Sequence, residues 1–117
     1  MSTRRTPLVP IAVTASRLLS TELMLCADEA GTFIEIATRV PAARPHARRR
    51  PMVLIGFDVV RRVRNPFPSG GLVVLAGFQP AGVTLFPDAH RLGIPYVIGL
   101  PAAKPWLVGQ LMHPPTC

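Results

Sequence analysis

Asp58 closes the apolar run "PMVLIGF" (51–57) and opens the basic run "VVRRVRN" (59–65). A carboxylate at the end of a buried strand can accept a phosphoryl group, serve as a catalytic acid, or cap the helix that follows. Few other residues offer chemistry. The single lysine, Lys104, follows no glycine-rich loop, so the chain has no nucleotide-binding P-loop. "GFQPAG" and "PSGG" are turns and not dinucleotide fingerprints. His46, His90 and His113 fall in different crossovers without ligand spacing, and His90 is expected to face solvent. Ser16 and Ser20 lack a G-x-S-x-G context. Cys26 and Cys117 have no metal spacing, and Cys26 reads as a small core residue. No cofactor, metal or catalytic group is expected.

The elements that position these residues follow from hydrophobic periodicity. "LVPIAVT" (8–14) reads as the first strand. In the next stretch Leu19, Leu23, Cys26, Ala27 and Ala30 recur on one helical face, with Ser16 to cap the start and Gly31 to stop the end. "TFIEIAT" (32–38) alternates like a half-exposed edge strand. "PAARPHARRR" (41–50) is a poor helix, because Pro41 suits a first turn but Pro45 interrupts it. "PMVLIGF" is apolar on both faces, as a central parallel strand must be. "DVVRRVRN" gives barely two turns, with Asp58 as its cap. "LVVLAGF" (72–78) and "IPYVIGL" (94–100) are the fourth and fifth strands. Between them Leu85, Ala89 and Leu92 define a helix that stops at Gly93. A last helix has Pro105 in its first turn and Leu107 and Leu111 on one face, with core packing favoured for Trp106.

Five strands alternating with crossovers specify an α/β fold: a three-layer sandwich around a five-stranded parallel sheet. At 117 residues and 49% hydrophobic composition the chain is one domain. Residues 1–6 read as an N-terminal tail, 7–112 as the domain and 113–117 as a C-terminal tail. The N-terminal stretch has Pro7 and Pro10 and no small-residue cleavage box, so it reads as tail and strand and not as an export signal. No apolar run approaches the ~20 residues of a membrane span, and a cytoplasmic location is expected.

The net charge is +7, and the positive residues are clustered. Arg44, Arg48, Arg49, Arg50, Arg61, Arg62 and Arg64, with Arg39 just before them, form a basic band that could attract a polyanion. No aromatic or glycine-rich element is interleaved for nucleobase contact, which favours a solvated face over a nucleic-acid site.

Parallel sheets bind ligands at the carboxyl ends of their strands. A phosphoryl-accepting receiver needs two acids after strand one and an acceptor aspartate after strand three to hold Mg²⁺. A hydroxyl after strand four and a lysine after strand five then balance the phosphoryl charge. Here Thr14, Ala15 and Ser16 replace the acids, Ala76-Gly77 replaces the hydroxyl, and Leu100 stands in the lysine's place before Pro101. The acceptor slot falls on Gly56, two residues short of Asp58. Ser16, Gly56, Asp58, Ala76 and Leu100 therefore make a degenerate receiver rim, with too few oxygen donors for Mg²⁺.

The run "PMVLIGFDV", then "GLVVLAG", "HRLGIPYVIGLP" and "AAKPWLVGQL", resembles the CheY-like N-terminal domain of the actinobacterial septum site-determining (Ssd) proteins. These are relatives of the CpaE/TadZ group in the MinD/ParA superfamily. The similarity carries on Val53–Asp58, Val97–Pro101 and Pro105–Leu111, within roughly residues 7 to 112. It implies a flavodoxin/CheY-like pseudo-receiver with strand order 2-1-3-4-5, which in the family precedes a P-loop ATPase involved in septum placement or polar localisation. Nucleotide hydrolysis is not carried over to these residues, which have no P-loop. The implied role is a non-catalytic interaction domain, with a MinD/ParA-type ATPase domain or a second copy as partner. The docking face would draw on Leu85, His90, Tyr96, Lys104 and Trp106. The alternatives are a phosphoryl-accepting receiver and a small basic nucleic-acid binder.

Overall fold

The computed structural model describes residues 9–67, 71–78 and 82–112, the side chains of 46 and 82–84 aside. The strands are β1 (Ile11–Val13), β2 (Glu35–Ala37), β3 (Met52–Gly56), β4 (Leu72–Phe78) and β5 (Tyr96–Leu100). All neighbours pair in parallel, in the order β2-β1-β3-β4-β5. Among the described residues three α-helices lie in crossovers, α1 (Arg17–Ala30), α2 (Val40–Ala47) and α3 (Gly82–Leu92), and α4 (Lys104–Met112) follows β5. Among its described residues, the β3–β4 connection contains only a 3₁₀ turn, Val60–Arg62, shorter than the two turns expected. The proposed tails at 1–6 and 113–117, with His113 and Cys117, lie outside the described residues, as do the centres of the "PSGG" and "GFQPAG" turns.

Two-residue alternation on the strands builds two cores. Ile11, Val13, Val53, Ile55 and Leu75 point to one face, beneath α2, the 3₁₀ turn and α3. Ala12, Met52, Leu54, Val74, Ala76, Ile98 and Leu100 point to the other, beneath α1 and α4.

The helix α1 matches its sequence pattern. The Ser16 hydroxyl accepts from the Leu19 amide, and Gly31 ends the helix at φ 75°, a left-handed conformation that glycine adopts without a Cβ clash. Leu19, Leu23, Cys26 and Ala27 are its buried stripe. Likewise Leu85, Ala89 and Leu92 of α3 and Leu107 and Leu111 of α4 are buried.

The poor helix expected after Pro41 is a real one. Both Pro45 in α2 and Pro87 in α3 lie inside regular helix, each in the second turn. The i−4 partner of each missing N–H lies in the helix's own first turn, so each proline costs one hydrogen bond near an end and does not divide the helix. Ala43 and Ala47, fully buried against the sheet, anchor α2.

Candidate functional site: a receiver rim closed from within

At the carboxyl edge of the sheet, β1 and β3 are neighbours, and the chain leaving each meets the other. Asp58 does not cap the 3₁₀ turn, which has no side-chain cap. Its carboxylate reaches back across the sheet instead. Thr14 Oγ1–H donates to Asp58 Oδ1 at 2.7 Å, and the Ala15 amide donates to Oδ2 at 2.8 Å. The Thr14 oxygen in turn accepts the Ser16 amide at 3.0 Å. A continuous chain of hydrogen bonds thus fastens the β3 exit to the N-terminus of α1. Thr14 is the one fully buried polar residue among those described, and this network satisfies it.

Gly56 explains how the carboxylate fits. A Cβ at position 56 would lie 2.6 Å from Asp58 Oδ1 and 2.8 Å from both Cβ and Oγ1 of Thr14. The space that an acceptor side chain on β3 would use is the space that Asp58 and Thr14 fill. The remaining rim positions are apolar. Ala76 pairs with Gly56 in the sheet and is buried. Beside it Phe57 and Phe78 meet edge to face at 5.8 Å. Leu100, joined to Pro101 by a cis peptide bond, turns fully into the α1–α4 core and presents nothing to the rim.

Such a rim does not fit Mg²⁺. A hard divalent ion takes several oxygen ligands, mainly carboxylates. The rim has one carboxylate, and both of its oxygens already accept protein hydrogen bonds. Among the described residues no group of three or more His, Cys, Asp or Glu converges on one point.

The residues proposed for docking separate into two kinds. Leu85 is a correction: it is buried in the α2–α3 core, with its Cδ1 2.9 Å from where a Gly77 Cβ would lie, and it is closed to a partner. His90 is exposed on α3 as expected. Tyr96 and Trp106 meet at the β5 edge, ring centroids 5.4 Å apart, with Tyr96 exposed and Trp106 half-buried against the core. Lys104 pairs with Glu29 of α1 at 3.3 Å.

The basic band also divides. Arg44 donates to the Asn65 and Pro66 carbonyls at 2.9 and 3.1 Å, with its guanidinium 4.4 Å from the Phe67 ring centre. Arg50 donates to the Val9 carbonyl at 2.9 Å and pairs with Glu35 at 2.6 Å. Both belong to the fold, and neither is free for a polyanion. Arg48, Arg49, Arg61, Arg62 and Arg64 are exposed. Two structural residues escaped sequence reasoning. Arg91 bonds the carbonyls of Val63 and Val60 at 2.6 and 3.2 Å, and Thr14 partners Asp58. The available signal for Thr14 was its place at the end of β1, next to β3.

A comparison with curated proteins finds no match. Among the described residues no helix is long and apolar enough to cross a membrane. Residues 12–115 match the family described as the Rv3660c-like, CheY-like N-terminal domain. With that match over most of the chain, the parallel order β2-β1-β3-β4-β5 and a rim closed by Asp58, the chain belongs to this family, the non-catalytic CheY-like domains of the septum site-determining proteins.

Proposed function

We propose that this domain works by contact, docking through the β5 edge and its flanking helices to a MinD/ParA-type ATPase domain, with residues 7–112 as the working unit. The observation that carries this reading is the Tyr96–Trp106 pair. It is an aromatic cluster at the edge strand, with Tyr96 42% exposed. Exposed aromatics beside an unpaired strand edge are where binding energy concentrates at protein interfaces. His90 and Lys104 supply the polar surround. A buried free thiol at Cys26 agrees with a reducing, cytoplasmic setting.

Affinity for the ATPase domain of a septum site-determining protein tests the reading, measured calorimetrically with the wild-type chain, Tyr96→Ala and Trp106→Phe. Tyr96→Ala is expected to weaken binding about tenfold or more, the range of an interface anchor, with an unaltered far-UV spectrum. Unchanged affinity in both variants would reject the assigned face.

A further inference from the structure

A cavity of about 310 Å³ opens at the carboxyl edge of the sheet, lined by Thr38, Arg39, Val40, Pro41, Val59 and Arg62. It lies between the chain leaving β2 and the chain leaving β3. These two segments flank β1, so the cavity adjoins the reversal of strand order between β1 and β3, and the carboxyl edge around such a reversal is the preferred ligand region of open parallel sheets. This is a different place from the Thr14–Asp58 tie, none of whose residues line the cavity.

The charge arrangement around it is one-sided. Two arginines line the cavity and no acid does. The carboxylates nearest along β2 and β3 are already engaged. Glu35 pairs with Arg50, and Asp58 is held by Thr14 and Ala15. Asp88, from α3, pairs with Arg91. Among the described residues neither Arg39 nor Arg62 has an ion-pair partner. Two unpaired cations lining one cavity raise the local potential, and an anion with several acceptor oxygens relieves it. Apart from Thr38, the rest of the lining is apolar: Val40, Pro41 and the buried Val59.

We propose that this cavity is a non-covalent binding site for a phosphate ester of about mononucleotide size. Arg39 and Arg62 grip the phosphate, the Thr38 hydroxyl donates a further hydrogen bond, and the ligand body rests on Val40, Pro41 and Val59. Guanidinium groups suit this task because their planar fork matches phosphate oxygens in pairs. The volume is at the lower end for small-molecule sites, which excludes larger cofactors.

Amide-resolved NMR titration of the full chain tests it, using adenosine 5′-monophosphate, inorganic phosphate and adenosine as probes. The monophosphate is expected to shift the amides of Thr38, Arg39, Val40 and Val59. Inorganic phosphate should shift the first three more weakly, and adenosine should leave all four in place. The double variant R39Q/R62Q should lose at least tenfold in affinity, while R48Q/R49Q, exposed arginines outside the cavity, should retain it. All four positions are exposed, so the variants keep the fold, checked by their thermal midpoints. Absence of shifts at millimolar monophosphate, or an equal loss in R48Q/R49Q, overturns the proposal. So does a random DNA duplex that shifts these amides with steep salt dependence when the monophosphate does not, since that marks an unspecific polyanion face.

Discussion

Beneath α1 and α4 the sheet is covered by two helices whose buried stripes, Leu19-Leu23-Cys26-Ala27 and Leu107-Leu111, need nothing beyond apolar contact and end caps. Beneath α2, the 3₁₀ turn and α3 the cover is broken. Two of its three pieces carry an internal proline, and the third is one turn long. A short, irregular connection has few backbone donors of its own for its carbonyls. On this face arginines supply them. Arg44 serves Asn65 and Pro66, Arg91 serves Val60 and Val63, and Arg50 serves Val9 at the neighbouring edge. Five backbone acceptors are met by three guanidinium groups, each a fork wide enough for two partners. The difference teaches that part of the basic composition is structural: the guanidinium groups of Arg44 and Arg91 brace the short β3–β4 connection, where, among the described residues, no α-helix supplies the backbone donors.

The sharpest test of that contrast sets apolar loss on one face against donor loss on the other. Leu23→Ala empties a fully buried position under α1, where the cost is transfer free energy plus a cavity. We expect about 2–5 kcal/mol less stability in urea unfolding. Arg91→Ala deletes no core volume, yet it removes the donor of the Val63 carbonyl and one of the two donors of the Val60 carbonyl, and we expect a loss of about 1–3 kcal/mol. Arg91→Lys should recover only part of it, because a single ammonium lacks the fork that reaches Val60, Val63 and Asp88 together. Arg61→Ala, an exposed arginine with no such bonds, should stay within about 0.5 kcal/mol of wild type. If Arg91→Ala behaves like Arg61→Ala, the two faces are covered by the same means and the contrast dissolves.

The same contrast explains what could be read from the chain. The α1–α4 face was legible because its signals are local: Ser16, Gly31 and the leucine spacing lie within the element they define. All five strands were legible too, since apolar runs between turns fix them, and their order came with the family resemblance. The proline-bearing face was harder. Pro45 looks like a breaker in the sequence, but its effect depends on where the helix begins, which Ala43 and Ala47 decide by packing on a sheet remote in sequence. Asp58 was misassigned for a related reason. A cap is a neighbour's role, whereas its actual partners lie 44 and 43 residues away. The depletion of the receiver rim was readable residue by residue, but its closure by Thr14 was not. Leu85 was assigned to the surface although its own i, i+4, i+7 pattern with Ala89 and Leu92 already placed it inside. Arg44 and Arg50 seemed free because no sequence pattern reveals which carbonyls a loop leaves unpaired.

The smallest expected effect sharpens the comparison from the well-covered side. Cys26 is wholly buried under α1, and burial pushes its thiol above the ordinary value of 9.0. Lys104 pulls it down, while Glu22 and Glu29 push it further up, so the net direction is upward. The thiol keeps its proton in the folded chain at a pH where the unfolded chain has lost it. Stability from this group is therefore full below pH 9 and falls as pH rises from there toward the folded value. With Cys117 replaced by serine throughout, the chain carrying Cys26 and its Cys26→Ala variant should keep a constant stability difference from pH 6 to 8. Above pH 9 that difference should shrink, because only the thiol-bearing chain loses stability through this group. Alkylation by iodoacetamide at pH 8.5 should be slow in the folded chain and fast in urea, since the reagent needs an exposed thiolate. Rapid alkylation of the native chain would mean that α1 opens as readily as the proline-bearing face, and that its long, capped stripe confers no advantage in keeping water out.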